Sequence, residues 1–252
     1  MFRRKNFPKR WPCSGFLNKR MPKLYLIPNT INTGTVNLLP DYIAQTIKDI
    51  RVFFVEEPKS ARRLLKSLNA QFPLSDCRYL DLNEHSNPSQ IQEYVQILKE
   101  GDAAIISEAG CPCVADPGAD LVFLAHQHKI DVIPLVGPSS ILLALMASGL
   151  SGQNFAFNGY LPKEAQDKRR KIKSLEERSF KEKQTQIFME TPYRNQSILE
   201  DILAVCQDKT YLCIACDIAS PQQIIKTMTI RDWKKNQLNF DKKPALFLLQ
   251  LV

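Results

Sequence analysis

The sequence predicts an α/β protein made of two α/β domains. In the first half, short apolar runs with strand character alternate with amphipathic helical segments, which is typical of a mostly parallel, doubly wound sheet. The second half has more strand per residue and a hairpin-like region near its end, which indicates a mixed sheet. We expect a flexible basic arm over residues 1–22, an N-terminal domain over 23–137 and a C-terminal domain over 138–252.

Hydrophobic spacing predicts five strands and four helices in the first half. Ile43, Ile47 and Ile50 repeat at helical spacing, and Pro88 suits the first turn of a helix. The predicted strands cover 23–27, 52–55, 79–82, 103–106 and 131–135. The predicted helices cover 42–50, 59–69, 89–99 and 119–128.

The second half begins with an apolar helix that follows a loop rich in Gly, Pro and Ser. After it, strands and helices alternate again, and the last part of the chain contains only strand patterns. The predicted helices cover 141–147, 163–181 and 196–206. The segment 155–162 comes before the long helix, and the predicted strands cover 186–189, 211–216, a hairpin-like region at 222–228, and 245–252.

The formal net charge of +8 is concentrated at the N-terminus. Residues 1–23 hold eight of the 34 basic residues and no acidic residue, and the other 26 basic residues balance 26 acidic ones. Three explanations for this segment stay open: an RNA-binding arm, a transit-type peptide, or a start codon placed upstream of the true start at Met21. The body of the protein is neutral.

The cysteines and the apolar runs indicate the compartment. Seven cysteines, an odd number in a chain of this size, favour reduced thiols and a cytoplasmic protein. No apolar run approaches the ~18 residues of a membrane span, so we expect no membrane partner. Cys213 and Cys216 lie three apart in a strand pattern and point to opposite faces, so we predict no metal site.

Residues 107–118 are the stretch that packing explains least. They join a buried strand to a helix, and Gly110 lies within them. Glu108 and Asp116 place two carboxylates at the carboxyl end of a strand, where open α/β sheets bind their ligands. The alternative is an ordinary strand-to-helix turn in which Asp116 caps the helix.

Common nucleotide-binding and hydrolytic motifs are missing from the sequence. No Gly-x-Gly-x-x-Gly follows the first strand, and no Walker-type loop occurs. The three histidines, His85, His126 and His128, lie in a polar loop or at a helix end, which does not indicate a Ser-His-Asp arrangement. What remains is a set of Gly, Pro and Ser loops suited to binding a small ligand through backbone groups.

Taken together, these loops resemble the tetrapyrrole methylase superfamily. Within it they resemble the branch that methylates a ribose 2'-hydroxyl of a cytidine in bacterial small-subunit ribosomal RNA. The resemblance runs from Leu24 to the C-terminus. The motifs are Leu-Tyr-Leu-Ile-Pro at 24–28, Ser-Glu-Ala-Gly-Cys-Pro at 107–112, Ala-Asp-Pro-Gly at 115–118, Pro-Leu-Val-Gly-Pro-Ser-Ser at 134–140, Ala-Ser-Gly-Leu at 147–150, Asn-Gly-Tyr-Leu-Pro at 158–162, Glu-Thr-Pro-Tyr-Arg at 190–194 and Pro-Ala-Leu at 244–246.

The resemblance implies that S-adenosylmethionine binds in a cleft between the two domains, largely through backbone contacts. It also implies ribosomal RNA or the small ribosomal subunit as partner, and a homodimer. Carried over by position, the implied cofactor-binding residues are Ile31, Ala109, Gly110, Val114, Ser139, Ser140, Met189, Pro244 and Ala245.

Three motifs depart from the pattern of the branch. Residues 32–35 replace its Gly-Asn in the first loop, and residues 56–59, Glu-Glu-Pro-Lys, replace its Glu-Asp-Thr-Arg. Glu108 and Cys111 stand where the branch has Asp and Thr. These changes leave the predicted cofactor contacts in place and alter residues on the substrate side.

Transfer of a methyl group to a hydroxyl needs a group that accepts the hydroxyl proton. Glu108 is the first candidate for this base, followed by Glu56 and His85, although Glu108 also suits a structural role in its loop. Basic residues in two of the motif regions are the candidates for binding RNA, with a solvated charged helix face as the alternative for the first three: Lys168, Arg169, Arg170 and Arg194.

Two other functions remain open for this sequence. The first is methylation of a tetrapyrrole or another small molecule on the same scaffold. The second, suggested by the altered loops, is a protein that binds S-adenosylmethionine without turnover.

Overall fold

The computed structural model describes residues 21–32, 35–236, 238, 240 and 242–252, which form two five-stranded sheets. The predicted basic arm lies outside the described residues except for Met21 and Pro22, and so do residues 33 and 34 of the first loop. Within the described part of the chain, no helix combines the length and the apolarity needed to cross a bilayer.

The first sheet contains five parallel strands and confirms the predicted doubly wound class. Its strands are β1 (Lys23–Ile27), β2 (Val52–Val55), β3 (Arg78–Asp81), β4 (Ala103–Ile106) and β5 (Asp131–Pro134). Its helices are α1 (Tyr42–Ile47), α2 (Pro58–Leu68), α3 (Pro88–Glu100) and α4 (Ala119–Gln127). The strand order is β3-β2-β4-β1-β5, which places β1 and β4 side by side in the interior of the sheet.

Helices cover both faces of this sheet, so β4 is buried along its whole length. Ala104 and Ile106 pack in one cluster with residues of α1 and α2, whereas Ala103 and Ile105 pack in another with residues of α3 and α4. Burial on two faces explains why β4 is a continuous apolar run. The parallel strands bring the loops after β1, β4 and β5 to one edge.

The second sheet is mixed, as predicted. Its strands are β6 (Phe155–Tyr160), β7 (Thr185–Glu190), β8 (Tyr211–Cys216), β9 (Ile224–Thr229) and β10 (Ala245–Gln250). Helices in this half are α5 (Ser140–Ser148), α6 (Ala165–Lys181), α7 (Asn195–Val205) and the short α8 (Ile230–Trp233). In the order β6-β7-β10-β8-β9, only β6 and β7 are parallel, and the other neighbours are antiparallel.

Both faces of the second sheet are also covered. Helix α5 packs on one face with Ile187 and Leu248, while α6, α7 and Trp233 cover the other. Cys213 and Cys216 belong to clusters on opposite faces, as their strand spacing predicts. Among the described residues, no group of three or more potential metal ligands comes together.

The division at residues 137 and 138 stays a prediction. Helix α5, which follows that position, packs against the strands of the second sheet. The strands of the first sheet end at Pro134, before the same position. We therefore keep the proposed domains 23–137 and 138–252.

Candidate active site

Hydrogen bonds join the loop after β4 to the loop after β1. Asn29 and Gly110 exchange two backbone hydrogen bonds, with N–O distances of 2.9 and 3.2 Å. The Asn29 side-chain amide also donates to the carbonyls of Ser107 and Glu108, at 2.9 and 3.1 Å. The Ser107 hydroxyl donates to the carbonyl of Gly110 at 2.8 Å. These bonds fix the backbone of residues 107–110 at the carboxyl end of the first sheet.

The loop after β5 packs against the loop after β1, and Gly137 makes this close contact possible. A Cβ on Gly137 would lie 2.2 Å from the Cβ of Pro28, so no side chain fits there. Gly110 has φ of +69°. Cys113 and Ala115 have φ of 64° and 58°, which is strained for residues with a side chain. Such strain is concentrated at functional sites in many proteins.

A cavity of about 280 Å³ lies between these loops and the strand ends of the second sheet. Its volume is close to the lower end of the range for ligand pockets, ~300–1,000 Å³. All nine residues predicted to bind the cofactor line this one cavity: Ile31, Ala109, Gly110, Val114, Ser139, Ser140, Met189, Pro244 and Ala245. Their individual roles stay predictions, but the structure brings them together from distant parts of the sequence.

The second half forms its side of the cavity from strand ends. Met189 lies at the end of β7 and Ala245 begins β10. The amide of Asp217 donates to the carbonyl of Pro244 at 2.9 Å, which holds the start of β10. Across the cavity, the Asn32 side chain donates a hydrogen bond to the carbonyl of Ile218 and thereby links the two halves.

Asp116 lines the cavity, and the sequence analysis did not place it among the site residues. Its Oδ2 is buried and has no hydrogen-bond partner among the described residues. Burial, together with the negative charges of Glu56 and Glu108, raises the pKa of Asp116 to about 6. The capping role considered for it is wrong, because Gly118 is the N-cap of α4 and no side chain caps it.

Glu190 and Tyr160 line the cavity from the second half. The Glu190 side chain is fully buried; its Oε1 accepts hydrogen bonds from Arg194 and from the amide of Thr191, whereas its Oε2 has no partner in the described part of the chain. Burial raises the pKa of Tyr160, and the charges of Asp116 and Glu190 act in the same direction. Three ionisable groups, Asp116, Tyr160 and Glu190, thus line the cavity.

The predicted catalytic residues lie outside the cavity. Glu108 is exposed and lines a neighbouring groove of about 350 Å³ that shares Ile31 with the cavity. Desolvation and the charges of Glu108 and Glu84 raise the pKa of Glu56. Glu56, Glu108 and Asp116 are therefore electrostatically coupled. The side chain of His85 is 85% exposed, lies 3.6 Å from Glu84 and lines neither space.

The residues predicted to bind RNA are held in ion pairs. Lys168 is 4% exposed, and its Nζ lies 2.7 Å from Asp201 of α7. Arg169 Nε lies 2.6 Å from the same carboxylate, and Arg170 pairs with Asp167. Arg194 pairs with Glu190. None of these four residues lines the cavity or the groove. Because Lys168 is buried, its ammonium group does not reach a macromolecule at the surface.

Residues 34–233 match the family described as Tetrapyrrole (Corrin/Porphyrin) Methylases. Two curated relatives carry the name Ribosomal RNA small subunit methyltransferase I. The protein from Thermotoga maritima is 33% identical over 190 residues, which covers 75% of this chain and 80% of the relative. The protein from Buchnera aphidicola subsp. Schizaphis graminum is 30% identical over 230 residues, covering 90% of this chain and 77% of the relative.

Solved structures share the fold. The methyltransferase CobJ superposes with a TM-score of 0.60 at 14% identity, covering 91% of this chain and 94% of that one. Uroporphyrin-III C-methyl transferase from Thermus thermophilus, complexed with S-adenyl homocysteine, superposes with a TM-score of 0.52 at 16% identity, covering 90% and 97%. At these identities the likeness shows the two-sheet fold alone.

Proposed function

Because this chain belongs to the tetrapyrrole methylase family, in the branch of ribosomal RNA small subunit methyltransferase I, we propose that it methylates a ribose 2'-hydroxyl of a cytidine in small-subunit ribosomal RNA. The methyl donor is S-adenosylmethionine. The observation that carries the proposal is that all nine implied cofactor residues line one cavity next to a second, open groove. The cavity holds the donor, and the groove gives a larger substrate access to it.

The cavity residues fit S-adenosylmethionine. A buried oxygen of Asp116 lacks a donor within the described residues, and the cofactor carries an ammonium, hydroxyls and a positive sulfonium that suit a carboxylate. Apolar residues such as Ile31 and Met189 suit its uncharged parts, and Gly110 lets the backbone approach closely. When bound, the cofactor supplies an activated methyl group, so much of the catalysis is positioning.

The proton of the attacking hydroxyl needs an acceptor, and a carboxylate of this chain can serve as that base. Glu108, the first candidate from the sequence, lines the groove, whereas Asp116 lines the cavity itself. A pKa of about 6 leaves Asp116 ionised at neutral pH but makes it more basic than an ordinary aspartate. We therefore propose Asp116 as the base, with Glu108 second, and the charge of Glu56 contributes to the raised pKa of Asp116.

Methyl transfer onto isolated small ribosomal subunits tests the function. Subunits from a strain that lacks this gene are incubated with the protein and labelled S-adenosylmethionine, and the labelled nucleotide is mapped. We expect label on one cytidine ribose. Label transferred only to a uroporphyrinogen-type substrate would instead support a small-molecule methyltransferase. Cofactor uptake by calorimetry without transfer to either substrate would support a binding protein without turnover.

Two further properties complete the proposal. A cytoplasmic location fits an RNA substrate assembled there, and fractionation of cells tests it. The homodimer implied by the resemblance is tested by sedimentation of the purified protein.

A further inference from the structure

Helix α2, which lines the groove next to the cavity, is strongly basic. Lys59, Arg62, Arg63 and Lys66 lie on it, and residues 58–68 contain no acid. Lys59, Arg63 and Lys66 are exposed, and among the described residues no carboxylate lies within ion-pairing distance of any of them. Their cationic groups are free to meet a ligand.

These three residues form one stripe. At about 100° per residue, positions 59, 63 and 66 lie within an arc of about 60° on the helix surface. Arg63 lines the groove together with Ser60 and Ser67 of the same helix, and the groove shares Ile31 with the cavity. Arg63 therefore places the stripe beside the groove that leads to the proposed methyl donor.

The groove also has an acidic part. Glu108 lines it, and Glu56 and Asp116 lie close enough to Glu108 for their pKa values to be raised by its charge. A phosphate is repelled by those carboxylates and attracted by α2. Carboxylates instead accept hydrogen bonds from hydroxyls and from the amino group of cytosine. One groove thus offers cations to a backbone and acceptors to a nucleoside.

From this arrangement we infer that the stripe of Lys59, Arg63 and Lys66 binds the phosphate backbone of the substrate RNA and guides the target nucleotide into the groove. The inference rests on the RNA substrate proposed above and places its backbone on α2. Helix α6, where sequence analysis placed RNA contacts, has its Lys168, Arg169 and Arg170 already paired with Asp201 and Asp167.

Fluorescence anisotropy with a short fluorescein-labelled single-stranded RNA tests this surface. The variant Lys59→Ala/Arg63→Ala/Lys66→Ala removes three charges, and we expect its RNA affinity to fall about tenfold or more at low salt. The slope of log affinity against log salt should fall by about 2, because each phosphate contact to a single strand contributes about 0.7. Cofactor affinity, measured by calorimetry, should stay unchanged and shows that the variant is folded.

Two matched variants make the result specific. Lys181→Ala/Lys209→Ala/Lys226→Ala removes the same charge from exposed positions that line neither space, and RNA affinity should change less than twofold. Arg169→Ala/Arg170→Ala tests α6 directly. Equal losses in the α2 and control variants would overturn the inference, and so would a loss confined to the α6 variant.

Methylation of small ribosomal subunits by the wild-type protein separates this inference from the proposed function. If the wild type methylates the subunit and the α2 variant does so at the same rate and salt dependence, the inference is wrong and the function stands. If the wild type leaves the subunit unmodified while α2 still controls RNA affinity, the surface stands and the proposed substrate is wrong. A rate loss in Arg63→Ala that Arg63→Lys restores would assign the effect to charge.

Discussion

Two carboxylates reach the same cavity from opposite halves of the molecule, and they differ in what surrounds them. Asp116 lies on a strained loop after β4, and the described residues offer its buried oxygen no hydrogen bond. Glu190 lies at the end of β7, where Arg194 and the amide of Thr191 bind one of its oxygens. Asp116 is therefore available to accept a proton, whereas Glu190 stabilises the end of β7.

The same contrast extends to the backbone around them. Loops of the first sheet form their side of the cavity with left-handed residues such as Cys113 and Ala115. The second sheet forms its side with regular strand ends, at Met189 and Ala245. We therefore expect substitutions of Asp116 and Gly110 on the first side to change chemistry or cofactor binding, and substitution of Glu190 on the second side to change stability.

The largest expected effect is on turnover in Asp116→Asn. The amide keeps the size of the side chain but cannot accept the hydroxyl proton, so single-turnover methyl transfer should slow by about 10²–10⁴-fold. Cofactor affinity by calorimetry should fall far less than turnover, because the amide oxygen still accepts hydrogen bonds from the cofactor. The matched variant is Glu108→Gln, which alters the carboxylate of the groove and should slow transfer less. A large loss in Glu108→Gln with normal turnover in Asp116→Asn would make Glu108 the base.

A smaller effect, on stability, is expected for Glu190→Gln. Charge-assisted hydrogen bonds to a buried carboxylate contribute about 1.5–3 kcal/mol, and the amide loses the charge that pairs with Arg194. The free energy of unfolding, measured in urea, should fall by that amount at neutral pH. Cofactor affinity measured on the same sample decides the comparison. Unchanged stability with a large loss of affinity would make Glu190 a ligand-binding residue like those of the first half.

The sequence predicted most of the framework because its signals are local. Strands β2 and β4 are continuous apolar runs bounded by polar residues or turns, so their limits were predicted to the residue. The α8 helix and the 3-10 turn at Pro192–Arg194 were not predicted, since three or four residues are too few to show a period.

The polar details depend on residues far apart in the chain. Asp201 lies 32 residues after Arg169, so nothing in the pattern of α6 shows that its cations are paired. Asp116 belongs to an Asp-Pro-Gly turn that suits a helix cap equally well. In the cavity it lies with Ile31 and Tyr160, which come from other elements. The order of the motifs along the chain predicted which residues line the cavity. The packing of the folded chain shows that Asp116 lines it and that Glu108 does not.

Gly110→Ala tests the loop side through cofactor affinity. Alanine at φ of +69° is strained by about 1–2 kcal/mol, and its Cβ would lie 3.3 Å from the carbonyl oxygen of Pro138. We expect the loop to shift and S-adenosylmethionine affinity to fall about tenfold, which is about 1.4 kcal/mol. Gly152→Ala is the matched control, because an added Cβ there meets no atom within 4 Å. Equal S-adenosylmethionine affinities in both variants would show that the Gly110 backbone does not bind the cofactor.

The smallest expected effect is a gain of stability in Asp116→Asn that depends on pH. The folded protein raises the pKa of Asp116 to about 6, so it binds this proton more tightly than the unfolded chain does, and ionisation between about pH 4 and 6 lowers stability. A rise of the pKa from about 4 to about 6 corresponds to at most about 3 kcal/mol, and partial solvent exposure reduces this to about 1 kcal/mol. In urea, the variant should therefore be about 1 kcal/mol more stable than the wild type at pH 7.5, and the difference should disappear near pH 4. A variant that is less stable at pH 7.5 would show that Asp116, like Glu190, holds the fold together, and the contrast between the two sides of the cavity would fail.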